Sequence, residues 1–292
     1  MLKMSLYAYV AAFFAFGLAA LAYLWYAVGS VRVNTVRYAT PTGKGATGTI
    51  LSRTDASHIG RYGTIFAVNG AVFLGLSLLL RTFVAGRGPF ANMYEFTVAF
   101  AFGTAAIYLF MEWRHQVRQL GAAVMPIVLG LLAYSATVPA DVRPLVPALQ
   151  NNLLLTVHVA VAIFAYGGFA TAFGAAVLYF LQRKAGVAWL PAAGLLDDIG
   201  YRSVVVGFPM MTLVIILGAW WADIAWGRYW SWDPKETASL ITWLVYGAYL
   251  HARVLRGWQG DRSNLFLVLG FLATLFTFFG NYFLGGLHSY AG

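Results

Sequence analysis

Long uninterrupted runs of apolar residues are the feature that most constrains the fold of this chain. A helix needs about 17–25 apolar residues to cross the hydrocarbon core of a bilayer. Eight runs of that kind lie at about 6–28, 62–80, 90–113, 120–138, 153–181, 204–220, 238–255 and 265–284. The pattern predicts an all-α, polytopic integral membrane helix bundle with about eight transmembrane helices.

The composition supports a lipid environment and excludes several classes of function. Hydrophobic residues make up 61% of the chain and charged residues only 10%, whereas soluble domains carry about 25% charged residues. The net charge of +9 falls mainly in short loops, so it predicts orientation rather than a nucleic-acid partner. The absence of cysteine excludes disulfides, thiolate metal sites and thiol nucleophiles.

The loop charges predict the orientation of the bundle. If eight helices alternate in direction, 13 of the 19 Lys and Arg residues fall on one side. The side richer in Lys and Arg is cytoplasmic. Both termini, the segment around Gln150 and the segment around Trp226 then lie on the outer, periplasmic side.

The chain divides into two predicted parts at residues 146/147. Residues 1–146 hold the N-terminal transmembrane helices and a long polar stretch, 29–61, which we predict to be a cytoplasmic loop. Residues 147–292 hold a core with a tryptophan-rich outer segment, 219–236. Glu95 falls in the first turn of the third predicted helix, where a carboxylate favours the positive helix end, and we interpret it as structural.

Half of the ten tryptophans lie within thirteen positions of the outer segment. They are Trp220, Trp221, Trp226, Trp230 and Trp232. Anchoring at the membrane interface explains one or two of them, but a dense cluster also suits a planar aromatic ligand. If residues 223–230 are helical, Asp223, Trp226 and Trp230 share one face, and Gly227 allows close approach. Both interpretations, ligand binding and anchoring, remain open at this point.

The tetrapeptide DPKE has a local structural role. Asp233 is a good helix N-cap, Pro234 fits the first helical position, and Glu236 at the third completes a capping box. This pattern predicts where the tryptophan segment ends and the seventh helix begins. Arg228 and Lys235 lie close to the tryptophans and are candidates for binding ligand carboxylates.

The segment WGRYWSWDPKETASLITWLVY resembles the tryptophan-rich "WWD" signature of haem-handling membrane proteins. Its continuation, KETASLITWLVYGAYLHAR, is most similar to the CcsA (ResC) family of System II cytochrome c biogenesis. The CcmC and CcmF families share the signature. The resemblance covers about 149–292, and PFANMYEF at 89–96 is the one similar stretch in the first half. It implies a multi-pass protein of the bacterial inner (cytoplasmic) membrane with its active site on the outer face.

Three of the five histidines are candidate haem ligands. His58 and His115 are most simply solvated residues at the cytoplasmic side. Haem iron takes axial imidazole, and His158 and His288 both fall on the outer side at the level of the tryptophans. His251 falls near the cytoplasmic end of the seventh helix.

The resemblance assigns roles to these residues. It implies an outer haem b with His158 and His288 as axial ligands, and an intramembrane haem near His251. The second ligand of the inner haem would come from a CcsB (ResB)-like partner subunit. The residues implied around the outer haem are Trp221, Asp223, Trp226, Gly227, Trp230, Trp232 and Asp233.

The resulting hypothesis is a holocytochrome c synthase subunit. It would bind haem and present it for thioether attachment to a Cys-x-x-Cys-His apocytochrome c, with haem translocation across the membrane. Three alternatives stay open: a haem exporter or chaperone without synthase activity, a membrane electron-transfer subunit, and a structural or transport protein whose tryptophans only anchor it to lipid.

Overall fold

A computed structural model describes residues 1–29, 31–39, 45–53, 57–142, 150, 152–187, 189–280 and 284–288. In these residues the chain forms eight α-helices and one pair of β-strands. The helices are α1 Leu2–Gly29, α2 Ser57–Ala85, α3 Met93–His115, α4 Gly121–Ser135, α5 Asn152–Ala185, α6 Ala193–Trp226, α7 Pro234–Arg256 and α8 Asp261–Phe279. The predicted all-α membrane bundle is confirmed. The predicted division at 146/147 lies outside the described residues.

Seven of these helices are long and apolar enough to cross a membrane, all except α7. Helix α7 is more polar because charged residues lie near both of its ends, at Lys235, Glu236, Arg253 and Arg256. Its 23 residues nevertheless match the length of a membrane span. We name the two ends of the bundle outer and inner, following the orientation that the loop charges predict.

Helix α6 begins eleven residues before the predicted position. Asp197 and Arg202 interrupt the apolar run, which is why the sequence pattern starts the helix at Val204. Asp197 is nonetheless buried inside the bundle, where it accepts hydrogen bonds from Arg253 Nη1 at 2.5 Å and Asn264 Nδ2 at 2.6 Å. A buried carboxylate of this kind is tolerated because it is paired.

The stretch predicted to be a loop contains two strands. β1 (Val31–Ala39) and β2 (Gly45–Arg53) pair antiparallel, with Val31 opposite Arg53 and Ala39 opposite Gly45. The stretch predicted to be a cytoplasmic loop, 29–61, therefore contains an antiparallel pair of strands that was not predicted from the sequence. The strands are rich in the β-branched residues Val, Thr and Ile, which favour extended backbone.

Helix α5 is at the centre of the bundle and packs closely against α3 and α6. A Cβ on Gly167 would lie 2.5 Å from the carbonyl oxygen of Gly103 in α3, and a Cβ on Gly168 would lie 3.0 Å from that of Ser203 in α6. Small residues at such crossings let membrane helices approach to backbone contact. These contacts fix α5, which holds His158 near its outer end.

Candidate binding site at the outer end of the bundle

The outer end of the bundle contains a cavity of about 1000 Å³, including the part that is open to the outside. Helices α3, α5, α6, α7 and α8, together with the C-terminal segment, contribute its walls. Aromatic and aliphatic side chains make up most of the lining, and the imidazole, ammonium and carboxylate side chains in it are those of His158, His288, Lys235 and Glu236. A large apolar cavity with a few polar groups is typical of a site for a cofactor-sized ligand.

Helix α6 ends within the tryptophan segment. Gly227 adopts the left-handed conformation with φ 72°, and its N–H donates to the carbonyl of Asp223. Glycine is the residue that adopts this conformation without strain. The predicted helical face shared by Asp223, Trp226 and Trp230 is therefore wrong, because the helix stops before Trp230.

The five tryptophans occupy different environments. Trp221 is almost fully buried. Both Trp221 and Trp230 line the cavity. Trp226 packs edge-on against Trp221, with 4.8 Å between ring centroids. In contrast, Trp220 and Trp232 are exposed and do not line the cavity.

Asp233 connects helix α7 to the C-terminal segment. The predicted capping box is present: Asp233 accepts from Lys235 N, and Glu236 accepts from Asp233 N. Oδ2 of Asp233 accepts a hydrogen bond from Leu287 N at 2.6 Å, and Oδ1 lies 2.8 Å from His288 Nδ1. One acidic side chain therefore caps α7 and holds His288.

His288 lies between Asp233 and the tryptophans. Its ring centroid is 4.8 Å from that of Trp226 and 5.7 Å from that of Trp221. Burial and the nearby positive charge of Lys235 lower the pKa of His288 to about 4, although Asp233 opposes the shift. Burial alone would raise the pKa of Asp233, but hydrogen bonds from Lys235 N and Leu287 N and the interaction with His288 hold it below its usual value. His288 is therefore neutral at neutral pH, and donation from Nδ1 to Asp233 places the lone pair of the ring on Nε2.

His158 approaches the same tryptophan from α5. Its ring lies nearly parallel to Trp221, at 6.4 Å and 19°. Gly218 in α6 faces it, and a Cβ there would lie 2.9 Å from His158 Cε1. The Nδ1 atom of His158 is buried and makes no hydrogen bond of ordinary geometry within the described part of the chain.

The remaining predicted residues lie outside this cavity. His251 is exposed near the inner end of α7, and the sixteen residues that separate it from Lys235 place the two about 24 Å apart along the helix. Asp223, Gly227 and Arg228 are close in sequence to the lining residues but do not line the cavity themselves.

Sequence reasoning missed several lining residues. Phe96 and Tyr166 are membrane-helix aromatics with no distinguishing pattern of their own, although PFANMYEF ends at Phe96. Lys235 Nζ lies 5.3 Å from the centroid of the Phe96 ring. The similarity of that octapeptide to the family was the one signal in the first half that could have identified this wall.

Comparisons with known proteins agree on the class of protein. The model of the family described as "Cytochrome C assembly protein" matches residues 90–288. "Cytochrome c biogenesis protein CcsA" of Guillardia theta is 36% identical over 261 residues, covering 80% of this chain and 85% of that protein. The protein of that name from Synechococcus elongatus is 39% identical over 260 residues, covering 70% and 80%.

The fold is also found in a solved structure. "Cytochrome c Heme Lyase CcmF" superposes with a TM-score of 0.66 at 18% identity, over 95% of this chain and 46% of that one. The site and these matches define a multi-pass membrane protein of the cytochrome c assembly class. The chain belongs to the CcsA family and acts in cytochrome c biogenesis, whose substrates are haem and apocytochrome c.

Proposed function

We propose that this protein binds haem b in the outer cavity and presents it for covalent attachment to apocytochrome c. The observation that carries the proposal is that two imidazoles from separate elements, His158 and His288, contact the same buried ring, Trp221, in one cavity. Imidazoles from two sides are the ligand pair that a six-coordinate haem iron takes.

The histidines have the chemical properties of iron ligands. Asp233 holds His288 through Nδ1, the arrangement in which an outer carboxylate orients a ligating imidazole and raises its basicity. His158 Nδ1 is buried and interacts with the backbone of Val214, but it makes no hydrogen bond of ordinary geometry among the described residues, and such an atom costs free energy unless a ligand or water satisfies it. The residues present therefore fit a haem.

The aromatic walls would hold the macrocycle. Trp221 and Trp230 line the cavity, and Trp226 supports both Trp221 and His288. Haem supplies two vinyl groups, and each thiol of a Cys-x-x-Cys-His segment adds its S–H across one vinyl double bond to form a thioether. The contribution of this chain is to bind and orient haem and to exclude water.

The proposal includes a second haem position within the membrane. The exposed His251 would supply one ligand there and a CcsB-like subunit the other, since a single exposed imidazole does not complete the coordination of haem iron. The family resemblance favours the bacterial inner membrane as the setting, and the loop charges favour an orientation with the cavity on its outer face.

The visible absorption spectrum of the protein, purified in mild detergent with and without its CcsB-like partner, tests the outer site. We expect a split α/β haem band in the wild type. In the double variant His158→Ala/His288→Ala, purified without the partner, we expect this band to be lost. The matched control is His58→Ala/His115→Ala, which removes two histidines at the inner end and should leave the spectrum unchanged. Unaltered haem content in the first double variant would reject the assignment.

A second experiment separates synthase activity from haem export. Purified protein and partner are incubated with haem and a reduced apocytochrome that carries Cys-x-x-Cys-His. Haem that remains on the apocytochrome through denaturing electrophoresis supports thioether formation. Haem transfer without covalent attachment would instead indicate a haem chaperone.

A further inference from the structure

Lys235 is the cationic residue that lines the outer cavity in the described part of the chain. Its backbone lies in the first turn of α7, and its ammonium group lies over the Phe96 ring of α3. The side chain is only partly exposed. A positive charge in a largely aromatic cavity is costly unless an anion accompanies it.

The described residues supply no such anion to Lys235. No carboxylate oxygen among them lies within 4.0 Å of its Nζ. Asp233 interacts with it electrostatically, but the oxygens of Asp233 already bind Lys235 N, Leu287 N and His288 Nδ1. The Phe96 ring offers a cation–π contact, which supplies no counter-charge to the ammonium group.

The acidic residue beside Lys235 is also committed elsewhere. Glu236 accepts hydrogen bonds from Ser231 N at 2.8 Å and from Asp233 N at 3.2 Å. Its carboxylate therefore serves the backbone of the tryptophan segment. An anionic group of a ligand would therefore be the direct ion-pair partner that the described residues do not supply to Lys235.

We propose that Lys235 is the anion-binding group of the outer cavity and pairs with a propionate carboxylate of the bound haem. This inference rests on the proposed function and adds to it the in-plane orientation of the ligand. Propionates and vinyls lie on opposite edges of haem b. Anchoring the propionate edge at Lys235 therefore turns the vinyl edge away from the wall formed by Phe96 and Lys235.

The structure distinguishes Lys235 from the other candidate that the sequence offered. Arg228 is exposed and does not line the cavity. An exposed cation is solvated and screened by salt, whereas a cation inside an apolar cavity interacts strongly with an anion. Arg228 is therefore the matched control, because it has the same charge and lies seven residues away.

The test compares haem with haem dimethyl ester, in which both carboxylates are esterified. Each ligand is titrated into the purified protein while the Soret absorbance is followed. We expect the wild type to bind haem about 10- to 100-fold more tightly than the ester, the range for a hydrogen bond to a charged group. Lys235→Met should lose this preference and keep the affinity of the wild type for the ester.

Two further variants complete the test. Lys235→Arg should retain most of the preference, because the charge remains, and Arg228→Met should retain all of it. Equal binding of haem and ester by the wild type would overturn the role of Lys235 while leaving haem binding intact. Equal losses for both ligands in Lys235→Met would also overturn it, because the residue would then act on the shape of the cavity. If neither haem nor the ester bound the wild type, both proposals would be overturned.

Discussion

The buried charges of the N-terminal helices and those of the outer cavity are arranged in opposite ways. Glu95 is fully buried, yet its carboxylate binds Arg81 Nε at 2.7 Å, Arg87 Nη1 at 3.0 Å and Ala91 N at 2.8 Å. Glu112, also buried, accepts hydrogen bonds from the hydroxyls of Tyr23, Tyr108 and Thr64. Both carboxylates therefore have partners within the chain.

The cavity shows the contrary pattern. His158 Nδ1 and Trp230 Nε1 are buried and make no hydrogen bond of ordinary geometry among the described residues, and no carboxylate oxygen there lies within 4.0 Å of Lys235 Nζ. Other such atoms, including Tyr246 Oη and Tyr249 Oη, lie on residues that do not line the cavity. Carboxylates whose partners lie within the chain stabilise the fold, whereas polar groups that line a cavity and lack an ordinary hydrogen bond or ion pair are placed to bind a ligand.

The largest expected effect on stability comes from removing a buried carboxylate whose partners all lie within the chain. Glu95→Ala leaves Arg81 and Arg87 buried without their counter-ion, and removing one partner of a buried pair costs about 3–5 kcal/mol. We expect a marked fall in the thermal unfolding midpoint in detergent. The control is Asp198→Ala, which removes a half-exposed pair with Arg202 and should cost at most about 1 kcal/mol. Equal losses in both variants would contradict the structural role of Glu95.

The next largest effect concerns Asp233, the carboxylate that orients His288, a proposed ligand of the haem iron. Asp233→Asn retains a residue that caps helices well but removes the charge that holds His288. Mutation of such an outer partner typically costs 10- to 100-fold in affinity for a metal site, so we expect a haem-affinity loss in about that range by Soret titration. The control is Asp223→Asn, which removes a carboxylate outside the cavity and should leave the haem affinity unchanged. An unchanged affinity in Asp233→Asn would show that His288 does not depend on this contact.

A smaller effect is expected from crowding His158. In Gly218→Ala the new Cβ lies 2.9 Å from His158 Cε1, so the imidazole must shift. Overpacking typically costs 1–3 kcal/mol, and we expect roughly a tenfold loss of haem affinity with little loss of helix stability. Gly194→Ala, in the same helix, meets no neighbouring atom within 4 Å and is the control. Equal affinities in the two variants would place haem away from His158.

The sequence predicted the helices well, whereas the role of His158 and His288 as haem ligands stays a prediction, although both side chains line one cavity. Membrane spans follow from local composition, because lipid imposes one polarity along the whole run. The capping box at Asp233 is local too, and it is confirmed. The association of His158 with His288 came from resemblance, since their 130-residue separation carries no periodic signal.

What the sequence missed depends on contacts that are distant along the chain. The early start of α6 requires knowing that Arg253 and Asn264 pair with Asp197. The cavity wall at Phe96 depends on the contact between the Phe96 ring of α3 and the Lys235 side chain of α7, which are 139 residues apart in sequence. The face that Asp223, Trp226 and Trp230 would share in a continuous helix is not formed, because Gly227, which was interpreted as room for a ligand, ends the helix.

The smallest expected effect on haem affinity comes from changing an exposed tryptophan instead of a buried one. Trp232 is 69% exposed and has φ 59°, a left-handed backbone that costs a residue with a Cβ about 1–2 kcal/mol. Trp232→Gly removes the ring and relieves the backbone, so we expect haem affinity to change by less than about threefold, under 1 kcal/mol. Trp221→Leu, which removes the ring that both histidines contact, should weaken binding far more. If the two variants lose haem affinity equally, the exposed Trp232 ring is part of the haem-binding surface. The binding site would then extend beyond the residues that line the cavity.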